Sequence, residues 1–415
     1  MIIKSYKFRL YPTEEQKILL AKHFGCVRHV YNWALEYKTK YYKEHKKNIH
    51  WMKLTGTDDF RNYKKSNPWI KEINSQILPA TIGNLDNAYK NFFEGRASFP
   101  RFKKLANNQS FQVSQFGKVD VKNNKLIIPK FIKGKNKGIK CIFHRDIPKG
   151  KHGTYTVSKT TAGKYYVSII IYIEQEIPIK PVQKNAIGLD FGLKTFITTS
   201  DGQKIQSPQY LKQSLRRLQF RSKKHSKTLK GGKNREKQRI KLAKTYEKIT
   251  NQRKDFLHKL SHSFICKNQA DTICIEDLNI KAMQKLWGKK ISDLSWYEFT
   301  RQLQYKADWY GKNLIKIGRF DPSSRMCSKC GHLQSLSLKD RNWTCNVCNT
   351  NHDRDFNAAA NIRDFGMNQY QLRQELSEVK PLEKKALTKN RKKLGETVFD
   401  ELGKKKNARK YILKP

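Results

Sequence analysis

AIGLDFGLKTF, Ala186 to Phe196, is an apolar strand that runs out at a carboxylate and turns at once into a second apolar segment. The pattern predicts a buried strand over 186–189 ending at Asp190, a turn through Gly192, and a second strand over Thr195–Thr199. Asp201-Gly202 is a favoured two-residue hairpin turn, so a third strand should follow antiparallel to the second. Further along, DTICI (Asp271 to Ile275) is another short buried strand, and it too ends at an acid, Glu276. A third acid, Asp355, stands in DRDFNAAANI just where a helix should begin. One carboxylate at a strand end is ordinarily a cap or turn residue. Three of them around a strand–hairpin–strand unit point to a ribonuclease H-like α/β site. Clustered carboxylates repel one another, and hard cations such as Mg²⁺ or Mn²⁺ relieve that repulsion. Two such metals can stabilise the attacking water and the leaving oxygen of a phosphodiester.

The charge suggests the substrate. The chain has 415 residues with 86 Lys plus Arg against 35 Asp plus Glu, a net +51. A compact protein with that charge repels itself unless a polyanion supplies the missing sign, and nucleic acid is the expected partner. The excess is densest between Lys212 and Lys259, with 18 basic residues against three acidic ones. Leu211, Leu215 and Leu218 keep helical spacing there and Gly231-Gly232 breaks the run, which predicts a basic helical hairpin over 208–262. Arg216, Arg217, Arg221, Lys223 and Lys224 on its first arm, with Arg9 and Arg325 elsewhere, are candidate nucleic-acid contacts.

Cys327-x2-Cys330 and Cys345-x2-Cys348, 14 residues apart, have the spacing of two metal knuckles. Four thiolates complete a tetrahedral zinc site with no position left for water, so the Zn²⁺ is expected to be structural. It could contact nucleic acid directly or hold the neighbouring site. Cys26, Cys141, Cys266 and Cys274 are scattered and read as small buried hydrophobes in a reducing compartment. The first residues carry no apolar signal segment, and the longest apolar run, Val167 to Ile173, is too short to span a bilayer, so no membrane partner is expected.

Before the first carboxylate, residues 1–11 read as a strand with one basic face, Thr13 to Gln16 as a capping box opening a helix, and Val27, Val30, Tyr31 and Ala34 as another amphipathic helix. Helical patterns run to about Phe93, and Ser110 to Ile173 reads as strands, with a hairpin at Lys122 to Lys125. A helix is expected over Leu294 to Tyr310, and a basic tail of 14 Lys or Arg from Met367 onward is expected to be mobile.

GLDFGLKTF, ICIEDLNI, CSKCG with CNVC, DRDFNAAANI, the opening KSYKFRLYPTEEQKILLAKHFGCVRHVYN and FFEGRASFPRFKK together resemble the TnpB nucleases of bacterial insertion sequences over roughly residues 1–366. The site is similar to that of compact type V CRISPR effectors. The resemblance implies a multidomain α+β chain. Its parts would be a wedge β-barrel (1–12 and 95–183) with a helical recognition insert (13–94), then a RuvC nuclease domain (184–325) carrying the 208–262 hairpin. A zinc-ribbon insert (326–349) would bind target nucleic acid, a last RuvC element (350–366) would follow, and the tail (367–415) matches no motif. It implies Asp190, Glu276 and Asp355 as the catalytic acids, in preference to Asp277 and Asp353, the latter then a helix cap. It further implies a non-coding guide RNA, double-stranded target DNA with a short flanking motif, and a cytoplasmic protein that joins the nucleoid when bound to DNA. Motif reading by family analogy falls to Asn74, Ser75 and Gln76 or the stretch Asn107 to Gln112, whose amides suit base edges, and Tyr6, Phe99 and Phe102 could stack on bases. Two other readings stay open: an RNA-guided repressor or RNA-binding factor that does not cut, and a DNA-rejoining transposase. The intact triad favours the nuclease.

Overall fold

The computed structural model describes residues 1–105, 108–115, 117–129, 138–176, 178, 185–337 and 340–378; for Lys281, Trp287, Lys289 and residues 370–378 it describes the backbone alone. By contact the chain divides into two units, Met1–Pro178 with Tyr210–Asp255, and Ile179–Gln209 with Phe256–Pro415.

The first unit opens with strand β1 (Ile2–Tyr11) and helix α1 (Glu14–His45). Thr13 caps α1 through the reciprocal box with Gln16. The two helices expected over this stretch are one, because Leu20, Phe24, Val27, Val30, Tyr31 and Ala34 form a single continuous buried stripe that Gly25 does not interrupt. Helices α2 (Trp51–Gly56), α3 (Asp58–Ser66) and α4 (Ile77–Phe93) complete the helical part. A buried ion pair joins Lys38 of α1 to Asp86 of α4, and Asp86 also accepts the Trp51 N–H at 2.8 Å, so one carboxylate ties three helices together. Strands β2 (Gln109–Val113), β3 (Lys118–Asp120), β4 (Lys125–Ile127), β5 (Ile139–Ile142), β6 (Lys151–Lys159) and β7 (Tyr165–Ile173) join β1 in one antiparallel sheet, ordered β2-β6-β7-β1-β5-β4-β3. Among the described residues β2 and β3 are its edges. The alternating burial of β7 puts Val167, Ile169 and Ile171 into one core with the apolar stripe of α1.

The second unit contains β8 (Ala186–Asp190), β9 (Thr195–Thr199) and β10 (Lys204–Gln206), the last two joined by a turn in which Gly202 takes φ +86°. Helices α5 (Tyr210–Ser226) and α6 (Lys233–His262) follow, and most of both groups with the first unit. The second unit resumes with β11 (Thr272–Ile275), α7 (Ile280–Leu294), α8 (Trp296–Tyr310), β12 (Asn313–Lys316), the small pair β13 (Asn342–Thr344) and β14 (Asn351–Asp353), and α9 (Arg354–Glu378). Its main sheet runs β10-β9-β8-β11-β12, antiparallel through β8 and parallel from β8 to β12. That is the order expected of a ribonuclease H-like unit. Ser295, in the left-handed region at φ 56°, separates α7 from α8. Of the expected tail, residues 367–378 instead continue α9, since MNQYQLRQELSE has neither Gly nor Pro to stop a helix; residues 379–415 lie outside the described residues.

Helix α9 lies directly on β8. A Cβ at Gly188 would stand 2.0 Å from the Ala359 carbonyl oxygen and 2.7 Å from the Arg363 nitrogen. Both are backbone atoms, so Gly188→Ala must push the helix off the strand. The expected loss is about 1–3 kcal/mol or more, read as a melting temperature lowered by several degrees. Gly25→Ala, where nothing lies within 4 Å, should hold or raise it. Equal melting temperatures for the two variants would contradict the close packing.

Candidate active site

The register Ile275↔Leu189 between parallel β11 and β8 makes Glu276 and Asp190 neighbours at adjacent strand ends. Asp355, in the first turn of α9, faces them closely enough to repel. Burial first, then the charges of Glu276 and Asp355, push Asp190 well above the usual carboxylate range, against the pull of Arg354 and Arg341. Glu276 is raised as well, by burial, although the Ser323 hydroxyl donates to its Oε1 at 2.9 Å. Arg341 Nη1 stands 3.4 Å from Asp355 Oδ1. The three acids stand near one another with Arg341 and Arg354 beside them, and their donor chemistry suits a hard divalent metal. Their oxygens do not all lie within 4.8 Å of one another; among the described residues only the four knuckle cysteines meet that spacing.

The neighbouring acids have other work. Asp277 binds Arg319 at 2.6 Å. Asp353 Oδ1 accepts the backbone N–H groups of Asp355 and Phe356 at 3.1 and 3.0 Å, which makes it the cap of α9. Burial opposes ionisation of Asp353, but the Lys204 ammonium at 2.6 Å and those two N–H groups lower its pKa.

An acid whose folded-state pKa lies above its unfolded one holds its proton more tightly when folded. Its contribution to stability is therefore lost as pH rises through the folded pKa. In metal-free protein, Asp190→Asn should raise the melting temperature at neutral pH, and the gain should vanish below pH ~4, where Asp190 is protonated in both states. A variant no more stable than wild type at neutral pH would contradict the raised pKa.

The sulfurs of Cys327, Cys330, Cys345 and Cys348 all lie within 4.8 Å of one another, a set that fits Zn²⁺. Gly331, after the first knuckle, takes φ +75°. The Thr350 hydroxyl and backbone N–H pull the Cys348 thiol down to about 6. Buried His352, on β14, places Nε2 3.0 Å from Cys327 Sγ and packs on Trp343 at 4.7 Å. Two buried asparagines of α9 tie this module to the acids. Asn357 accepts the Ser328 N–H at 2.9 Å and donates to Met326 O at 2.7 Å, and Asn361 donates to Ser323 O and Met326 O at 2.7 Å each. Ser323 in turn holds Glu276. Sequence reasoning missed Asn357, Asn361, Ser323 and His352. The available signal was Asn twice, four residues apart, inside an alanine-rich helix where Asn is a poor helix former.

Three known families match parts of the chain. One described as "Probable transposase" covers residues 169–286, "Cas12f1-like, TNB domain" covers 296–362 and "Helix-turn-helix domain" covers 1–47. A protein of Streptomyces pristinaespiralis, named as a candidate RNA-guided DNA endonuclease, is 34% identical over 370 residues, 88% of this chain and 89% of that one. InsQ of Escherichia coli, named likewise, is 30% identical over 385 residues, 88% and 92% of the two chains. The chain belongs to the TnpB family of RNA-guided DNA endonucleases. A TnpB-like protein of Acanthamoeba polyphaga mimivirus, L770, is 26% identical over 88% of this chain and 74% of its own. A cryo-EM structure of a Cas12f1–sgRNA–target DNA complex aligns with 87% of this chain and 98% of that one at 14% identity and TM-score 0.48.

The basic charge and, for motif reading, the TnpB resemblance also offered nucleic-acid contacts, and the structure separates them. Arg216, Arg217, Lys223 and Lys224 are exposed on α5 and Arg221 is half-buried. Arg325 is exposed on the loop before the first knuckle. Arg9 packs over the Tyr166 ring at 5.0 Å with its Nη1 buried and unpartnered. Asn74 is corrected: it is buried, and its Oδ1 accepts the Gln76 N–H at 3.1 Å, so it shapes the turn into α4 and is not presented to a base. Gln76 itself is exposed. Gln112 accepts from Asn84 at 3.1 Å, and Asn107 lies outside the described residues. Phe99 and Phe102 are exposed, whereas Tyr6 is half-buried under Arg145. Among the described residues no helix is long and apolar enough to cross a membrane.

Proposed function

We propose that this chain binds a non-coding guide RNA, recognises a short motif beside its target and hydrolyses phosphodiesters of guide-matched DNA at Asp190, Glu276 and Asp355. The observation that carries the proposal is the meeting of these acids at the ends of β8 and β11 and in the first turn of α9, where Asp190 is raised first by burial and then by the other two charges. When bound, Mg²⁺ or Mn²⁺ supplies the charge that activates water and stabilises the leaving oxygen. The chain's own part is positional. Ser323 orients Glu276, the Asp353 cap sets the first turn of α9 and so Asp355, and Gly188 lets α9 approach β8.

The seven-stranded sheet corresponds to the wedge and α1–α4 to the recognition insert, with Gln76 the amide best exposed for motif reading. The α5–α6 pair supplies a basic surface for nucleic-acid backbone, and the four-cysteine module, without an open coordination position, serves as a structural zinc site. The guide pairs with the target and reads its sequence, while the protein reads backbone shape and the short motif.

The RNA requirement is tested on protein purified in low salt. A structured RNA should copurify, its affinity should fall steeply as salt rises because each neutralised phosphate releases counterions, and sequencing should return one transcript type. Protein stripped of RNA that cuts DNA equally well would contradict guidance.

A further inference from the structure

Four thiolates around one Zn²⁺ leave about two negative charges uncompensated. Inside a protein such charge is stabilised by hydrogen-bond donors set around the sulfurs. The structure places a donor at each of the four. The His332 N–H points to Cys330, the Val347 and Cys348 N–H groups to Cys345, and the Thr350 N–H and hydroxyl to Cys348, the hydroxyl at 3.2 Å. Cys330 and Cys348 are exposed as well, so water reaches them. Cys327 is fully buried. The group set against it is a side chain, the His352 ring, with Nε2 3.0 Å from Sγ.

The fold fixes His352 in that place. β14 pairs with β13 in the register Trp343↔His352, the indole packs on the imidazole at 4.7 Å, and both rings are buried. The ring nitrogen stands outside the ligand set: among the described residues, the candidate ligand atoms that all lie within 4.8 Å of one another are the four sulfurs. A zinc-bound thiolate carries no proton. A bare Nε2 at this distance would set lone pair against lone pair, so the ring has to present Nε2–H. The next residue, Asp353, caps α9, and Asp355 follows in the first turn of that helix.

We infer that His352 is a positioning residue of the zinc site: it donates Nε2–H to the buried Cys327 thiolate, and its backbone carries the metal's hold into the first turn of α9. The inference rests on the zinc reading of the four cysteines. It adds to that reading a group outside the ligand set on which zinc affinity depends. It also gives the strand before Asp355 an anchor on the knuckle.

The test takes the zinc-loaded full chain and two variants that separate the ring from its donor. His352→Phe keeps an aromatic ring on Trp343 and has no donor. His352→Gln loses the ring and places an amide donor near where Nε2 stood. Competition with a chromophoric chelator should show zinc held about 10–100-fold more weakly by His352→Phe and close to wild type by His352→Gln. Thr350→Val removes a hydroxyl from a sulfur that water also reaches, so it should change the affinity little. Equal affinities in the two His352 variants, or the weaker one in His352→Gln, would overturn the inference, because the ring would then only pack. A wild-type chain that takes up no zinc would overturn the zinc reading, and this inference with it. One measurement needs no folded variant. In wild type with ¹⁵N-labelled histidines, the ring next to Cys327 should carry its proton on Nε2 when zinc is bound; a bare Nε2 contradicts the donation. Amide exchange at Asp355 and Phe356, whose N–H groups Asp353 accepts, should quicken in His352→Phe and not in His352→Gln. Exchange unchanged in His352→Phe would overturn the link to α9.

Discussion

Asp190→Ala should lower metal-dependent cleavage of guide-matched DNA by at least about 10²-fold, and guide and target binding should stay near wild type. The reason is electrostatic. Asp190 is buried and is repelled by both Glu276 and Asp355, so its ionised form calls for a cation. Loss of metal occupancy compounds the loss of transition-state stabilisation. The basic surface of α5 does not depend on this carboxylate, and removing a negative charge can only favour a polyanion. Glu276→Ala and Asp355→Ala are expected to behave the same way. Asp277→Ala and Asp353→Ala serve as controls that keep substantial activity. The first frees Arg319 and the second removes a helix cap worth about 1 kcal/mol. Cleavage and binding measured in parallel on the five variants check the assignment; an Asp190→Ala protein that still cuts refutes it.

Cys330→Ser is expected to have the second large effect. The variant should lose its zinc, since a closed four-thiolate site contributes folding free energy directly, on the order of 10 kcal/mol in small zinc modules. The consequence should reach the acids through named contacts. The segment from Ser323 to Ser328 is held by Asn357 and Asn361 of α9, and Ser323 holds Glu276. Elemental analysis should find one zinc per wild-type chain and none in the variant, with cleavage lost and the second unit melting earlier. A variant that has lost its zinc and still cuts at the wild-type rate would show that the module does not support the acids.

Much of the second unit was legible in the sequence because its signals are local. AIGL and TICI are continuous apolar runs ending at acids, and the sheet register turns those ends into neighbours. The knuckle spacing and the Asp201-Gly202 turn are equally local. Asp355 was chosen over Asp353 on the family motif; the cap that Asp353 makes is local, whereas its ion pair with Lys204, 149 residues away in sequence, could not be read from the chain. Asn74 looked like a base reader because polarity was visible and burial was not. The asparagines of α9 and Ser323 were invisible for the same reason: their partners lie 29 to 47 residues distant in the chain. The opening helix was read as two because its capping box and its apolar stripe were taken as separate signals, whereas the stripe runs unbroken past Gly25.

Guided cleavage itself is tested most directly by incubating purified chain, loaded with its copurifying RNA, with a plasmid that carries a guide-matched target and the flanking motif. The plasmid should be cut in Mg²⁺ or Mn²⁺. It should stay intact in chelator, with a mismatched target, and with Asp190→Ala. A wild-type chain that binds this plasmid with metal present and never cuts it would contradict the nuclease and put an RNA-guided repressor in its place.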